Sequence, residues 1–156
     1  FFDTLVERLE PIEVEAVLAH ELGHYKRRHI IKRMAMIYGS GLLTLALLGV
    51  LKDASWFYAG LGVAAPSTAA ALLLFFLALP AFTFPFGWLT SYGSRKHEYE
   101  ADAYAAEVSE ASALISGLVK LYRDNAATLT PDPLHSLFYD SHPPASLRIA
   151  ALRAAA

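Results

Sequence analysis

The sequence predicts an all-α, integral-membrane fold, and three observations carry that prediction. Hydrophobic residues make up 55% of the 156 and charged residues only 18%, with a mean hydropathy of +0.36, too apolar for an ordinary soluble surface. Charge comes in blocks: dense up to Arg33, absent from Met34 to Leu51, and absent again from Ala54 to Ser94. The charged flanks read as helices.

The first helix starts at Pro11-Ile12-Glu13-Val14-Glu15, where an early proline and two acids suit the positive end of the helix dipole. The first uncharged run, 34–51, is just long enough to cross a hydrocarbon core of about 30 Å at about 1.5 Å per residue. Within the second run Pro66 forms a break, and Ser67-Thr68 make a plausible helix start, so the second crossing is placed at 68–90. Residues 54–66, with Trp56, Phe57 and Tyr58, are expected to be a loop or an interfacial segment. Pro80 and Pro85 are expected to kink the second crossing. Further helices are expected over 95–108 and 112–125, with a loop at 128–132 and a last short helix from Ala145. A core hairpin of a soluble protein would give a similar local pattern, but the second uncharged run is long for one.

Two crossings return the chain to its starting side. Residues 1–33 and 95–156 can then share one aqueous compartment, with 34–94 as the membrane hairpin of a single 1–156 portion. The flanks carry Lys26, Arg27, Arg28, Lys32, Arg33, Arg95 and Lys96, while the connecting loop has only Lys52, which puts both flanks in the cytoplasm.

Several function classes drop out. Low charge and abundant apolar residues argue against disorder, and the absence of cysteine argues against a disulfide scaffold. A net charge of −2 without a basic, aromatic-rich stripe offers no footprint for nucleic acid. The chain opens Phe1-Phe2-Asp3-Thr4, with neither an initiator Met nor a leader pattern, and reads as a piece of something longer.

The chemistry is concentrated in His20-Glu21-Leu22-Gly23-His24. Two histidines four apart stand one above the other on a helix face and can hold one zinc ion. Glu21 is offset toward the open position, where it can take a proton from water and pass it to a leaving amine. The bland alternative is a solvated face with two incidental histidines. His29 has the wrong spacing for the extended three-histidine signature and reads as a basic surface residue.

A catalytic zinc keeps three protein ligands and an open position. Glu98 and Asp102, four apart, share a helix face, while Glu100 is turned about 200° from Glu98. Alone they would read as ordinary surface charges. Coupled to the histidine motif on the same membrane side, they form a third ligand and an acceptor for a ligand histidine's free N–H. In Ser141-His142-Pro143-Pro144-Ala145-Ser146-Leu147-Arg148, His142 and Arg148 could face an oxyanion, although such residues are usually solvent-exposed.

Together these residues resemble the type I CAAX prenyl proteases, integral-membrane zinc endopeptidases of the gluzincin clan. The likeness rests on Asp3-Thr4-Leu5, on Glu15 through His24, on the hairpin, on Ser94 through Ala103, and on Ser141-His142-Pro143-Pro144 with Arg148. It implies zinc ligands His20, His24 and Glu98, a general base and acid in Glu21, and an orienting carboxylate in Asp102. It implies that His142 and Arg148 stabilise the tetrahedral intermediate or hold the substrate backbone. Leu147 departs from the acid that the family often has there. The implied partners are peptide or protein substrates, including carboxy-terminally prenylated ones, and membrane lipid. The implied location is a bacterial inner membrane or an endoplasmic reticulum membrane, in multiple passes with the active site toward the cytoplasm.

The amino-terminal membrane helices and the substrate-pairing edge strand of that family are absent from these residues, so this portion alone is expected to be inactive or poorly active. Two alternatives remain at this point: a membrane heat-shock protease for quality control, which shares the His-Glu-x-x-His and Glu-x-x-x-Asp patterns, and a non-catalytic metal-binding membrane scaffold.

Overall fold

The computed structural model describes residues 7–124 and 131–155. Among them every regular element is helical: α1 (Pro11–Lys26), α2 (His29–Leu51), α3 (Ser55–Gly60), α4 (Thr68–Thr83), a 3₁₀ turn (Phe84–Phe86), α5 (Gly87–Val108), α6 (Ala111–Asp124), α7 (Pro133–Tyr139) and α8 (Ala145–Ala155). Asp3-Thr4-Leu5, Asn125 and the first part of the expected 128–132 loop lie outside the described residues. The chain forms two compact units, one of residues 1–30 and 87–156 and one of residues 31–86.

In the first unit α1 packs on α5 and α6, α5 also meets α7 and α8, and α6 meets α8. Its apolar centre is made of small residues: Ala16 and Ala19 of α1, Ala105 of α5, and Ala113 of α6, closed by Leu114, Leu118 and Leu152. Small side chains let helix backbones approach closely. At Gly23 a Cβ would lie 3.0 Å from the Ala101 Cα and 3.1 Å from its carbonyl oxygen. A buried polar clamp adds to this packing: Glu13, 3% exposed, accepts hydrogen bonds from Ser116 Oγ (2.6 Å) and Lys120 Nζ (2.7 Å).

α1 ends at Lys26, and Arg28 adopts a left-handed backbone with φ of 55°, a conformation uncommon for a residue with a Cβ. α2 then begins at His29, five residues before the uncharged run. α5 begins at Gly87, eight residues ahead of the expected start at Arg95. α7 was not expected from the sequence. Its signal is Asp132-Pro133, since the Asp132 carboxylate accepts from the Leu134 and His135 N–H groups, both at 2.9 Å, and proline suits the first helical position.

The second unit contains the apolar runs. α2 is long and apolar enough to cross a membrane, and so is the stretch beginning at Thr68. Ser67 caps α4 as expected, its hydroxyl accepting from the Ala70 N–H at 3.1 Å. Pro80 lies inside α4 without ending it, whereas Pro85 sits in the 3₁₀ turn that separates α4 from α5. The 54–66 segment is more ordered than a loop. Phe57 and Tyr58 of α3 are buried with Ala71 and Phe75 of α4, packed against Leu48 and Leu51 of α2, and the Tyr58 hydroxyl donates to the Lys52 carbonyl at 2.7 Å.

Candidate metal centre

His20 and His24 lie one turn apart on α1, and α5 carries Glu98 to them across the close Gly23–Ala101 approach. The two Nε2 atoms are 3.1 Å apart. Glu98 Oε2 lies 3.6 Å from His20 Nε2, and Glu98 Oε1 lies 3.4 Å from His24 Nε2. A tetrahedral ion with bonds of about 2.0–2.1 Å holds its donors about 3.3–3.4 Å apart. The two Glu98 oxygens each approach a different imidazole at close to that spacing, one ligand atom from each of the three residues lies within 4.8 Å of the others, and the donor set, two imidazoles and a carboxylate, is one that zinc accepts.

Each member is supported from behind. His20 Nδ1 lies 2.9 Å from Asp102 Oδ1, close enough to interact but without the alignment of a well-directed hydrogen bond. Asp102, 3% exposed, also takes the Arg148 guanidinium in a bidentate pair, with Nε donating at 2.8 Å to Oδ2 and Nη2 to Oδ1. The remaining Arg148 nitrogen, Nη1, stands 3.3 Å from Glu98 Oε2. Arg148 is buried, with its donors directed at the two carboxylates, and it also lines the cavity beside Glu21.

The charges follow this packing. Burial pushes the Glu98 carboxyl up, but its hydrogen bond with His24 and the charges of Arg148, His142 and His20 outweigh that and hold it below the usual carboxylate range. Asp102 behaves alike: burial raises it, and the Arg148 hydrogen bonds and charge, with His20 close by, more than compensate. His24 is shifted upward by its hydrogen bond to Glu98, against burial.

Glu21 is exposed on the wall of a cavity of about 420 Å³ that is also lined by His20, His24, Glu98, His142 and Arg148. Val17, Leu114 and Leu118 supply apolar wall. His142 is largely exposed, with Nε2 3.6 Å from Glu98 Oε1 and Nδ1 2.9 Å from Ser141 Oγ. Its loop is fastened from two sides. Arg95 Nη1 donates to the Ser136 and Asp140 carbonyls at the end of α7, at 2.8 and 3.0 Å, and the Tyr122 hydroxyl donates to the Pro143 carbonyl at 3.2 Å. The structure thus gathers all seven residues singled out by the sequence around one cavity or immediately behind its wall.

Sequence reasoning missed His29. It is 4% exposed rather than on the surface, its Nδ1 lies 3.0 Å from His24 Nδ1, and its ring stacks on His97 at 4.0 Å. Helical spacing does not apply to it, because α1 ends at Lys26 and Arg28 takes a positive φ before α2 starts. Glu100, correctly turned away from Glu98, faces His29 instead, Oε2 to Nε2 at 3.0 Å.

The family model for peptidase family M48 matches residues 1–156. A CAAX prenyl protease 1 homolog of Homo sapiens is 33% identical over 143 residues, covering 90% of this chain and 30% of that protein. CAAX prenyl protease 1 of Saccharomyces cerevisiae is 30% identical over 166 residues, covering 97% of this chain and 37% of that one. The crystal structure of S. mikatae Ste24p superposes with a TM-score of 0.85 at 30% identity, over 97% of this chain and 39% of that chain. The chain spans about a third of the length of the curated relatives it matches.

Proposed function

The chain belongs to peptidase family M48, and from that premise we propose that it is the metal-bearing portion of a zinc-dependent membrane endopeptidase. The proposed substrates are peptides or proteins of the kind named by its CAAX prenyl protease relatives, prenylated at the carboxy terminus. The observation that carries the reading is the cluster of His20, His24 and Glu98, whose ligand atoms lie within 4.8 Å of one another, beside a cavity that Glu21 also lines.

In this reading His20, His24 and Glu98 hold the ion. Bound there, zinc supplies a Lewis acid that polarises water and a peptide carbonyl. Glu21 accepts the proton of the attacking water on a carboxylate oxygen and returns it to the leaving nitrogen. His142, exposed on the same cavity, donates from Nε2 to the developing oxyanion. Asp102 orients the His20 ring, and Arg148 balances the charge of Asp102 and Glu98, which keeps both carboxylates ionised and fixed. Val17, Leu114 and Leu118 make one wall apolar. The two apolar runs anchor the chain in a bilayer in two passes, and the basic flanks keep residues 1–33 and 95–156 on the cytoplasmic side.

Substituting Glu21→Gln tests the chemistry. Metal analysis is expected to show retained zinc, while hydrolysis of a peptide substrate falls by about 10²- to 10⁴-fold, the usual share of a general base. Undiminished turnover would remove Glu21 from the mechanism. Comparing a prenylated peptide with its unprenylated form tests the substrate class, because equal cleavage of both would argue for general membrane proteolysis instead.

A further inference from the structure

His29 and Glu100 complete the surroundings of the ligand histidines, and neither belongs to a motif. His29 is the first residue of α2 and Glu100 lies on α5, yet they meet directly behind His24. The proton count fixes their roles. Two nitrogens facing each other at 3.0 Å, His24 Nδ1 and His29 Nδ1, need one hydrogen between them. His24 turns its Nε2 to the other ligand atoms, so a neutral, ligating His24 carries its proton on Nδ1 and donates it to His29. His29 then carries its own proton on Nε2, where Glu100 Oε2 stands at 3.0 Å to accept it. No donor in the sequence is left facing a donor.

The assembly is also held in place. His29 is buried and stacked on His97, with rings 11° from parallel, and Lys96 Nζ stands 3.8 Å from the other Glu100 oxygen. The arrangement parallels His20, whose Nδ1 faces Asp102 directly. Each ligand histidine is thus backed by a carboxylate, one at first hand and one through an intervening imidazole.

We propose that His29 and Glu100 are positioning residues that fix the tautomer and ring orientation of His24 through the chain His24 Nδ1–H to His29 Nδ1 and His29 Nε2–H to Glu100. The inference rests on the zinc reading of His20, His24 and Glu98. Groups that orient a ligand from behind commonly contribute 10- to 100-fold in metal affinity.

The test is zinc affinity by chelator competition on the full chain in detergent, for wild type, His29→Ala, Glu100→Gln and the double variant, each checked for helix content by circular dichroism. Each single variant is expected to bind zinc about 10- to 100-fold more weakly. The double variant is expected to be no weaker than His29→Ala, because the two residues act in series. A purely structural loss would lower helix content as well, whereas a positioning role weakens zinc binding at unchanged helix content. Should His29→Ala fail to fold, Glu100→Gln, on a partly exposed side chain, decides alone. Wild-type affinity in Glu100→Gln, or fully additive losses, would overturn the inference and leave the zinc reading standing. Absence of zinc binding in the wild type would instead sink that reading, and the inference with it.

Discussion

Glu13 is the residue in which burial and charge oppose each other most plainly. Burial pushes its carboxyl up, but hydrogen bonds from Lys120, Ser116 and the Glu10 N–H, with the Lys120 charge, bring it down to about 2 from an ordinary 4.5. A carboxyl depressed by folding stabilises the native state above its unfolded value and loses that contribution as pH falls through its folded value. Melting of helical circular dichroism in detergent should therefore drop in temperature between pH 4.5 and 2. Glu13→Gln should melt lower at pH 7 and show a shallower acid slope; an unchanged slope would contradict this. Residues of this kind differ in how legible they are. His20, His24, Glu98 and Asp102 are readable because four-residue spacing places partners on one helix face. His29 is not, because five residues on a continuous helix would turn it about 140° away from His24. Only the positive φ of Arg28 brings it back, and nothing in Arg27-Arg28-His29 announces that conformation.

At the scale of elements, the pairing of α1 with α5 decides whether a metal centre exists. A methyl group at Gly23 would gain about 1 kcal/mol of helix propensity. It would also press on Ala101 Cα and carbonyl oxygen at 3.0 and 3.1 Å, backbone atoms that cannot rotate aside, and such overpacking costs about 1–3 kcal/mol. Gly23→Ala is expected to push the helices apart and weaken zinc binding. Gly117→Ala is the control. Its added methyl would meet Val17 and Glu13 at an ordinary 3.7 and 3.8 Å, so it should leave zinc affinity unchanged and raise thermal stability. Equal zinc affinity in both variants would show that the close approach is unimportant to the centre. The elements were partly legible in the same physical terms. α1, the Ser67 start of α4, and the start of α8 at Ala145 carry local signals. The early start of α5 does not, because Gly87 to Ser94 read as the tail of an apolar run, and α3 is stabilised by burying Phe57 and Tyr58 against residues of the two neighbouring helices.

For the whole molecule, the two units divide the chemistry from the apolar mass. Residues 31–86 interrupt the first unit between its ligand-bearing helices, and α2 and α4 leave large side chains such as Leu42, Leu43, Leu73 and Leu77 exposed. Such a surface is expected to partition into lipid. The chain has no cysteine, so single cysteines can report topology without background. In sealed vesicles, cysteines placed at Arg28 and Arg123 should react with an impermeant reagent from the same side, and one at Asp53 from the other. Reaction of all three from one side would rule out the two-pass arrangement.

The interrupted first unit also sets an order of events during synthesis. At about 5–20 residues per second, Glu98 leaves the ribosome roughly 4–15 s after His24, and Arg148, which neutralises Asp102, follows later still. Through that interval His20 and His24 precede their proposed third ligand. On the proposed reading, His20, His24 and Glu98 can meet only after the apolar insert has been made, so the order of synthesis places metal capture behind the hairpin.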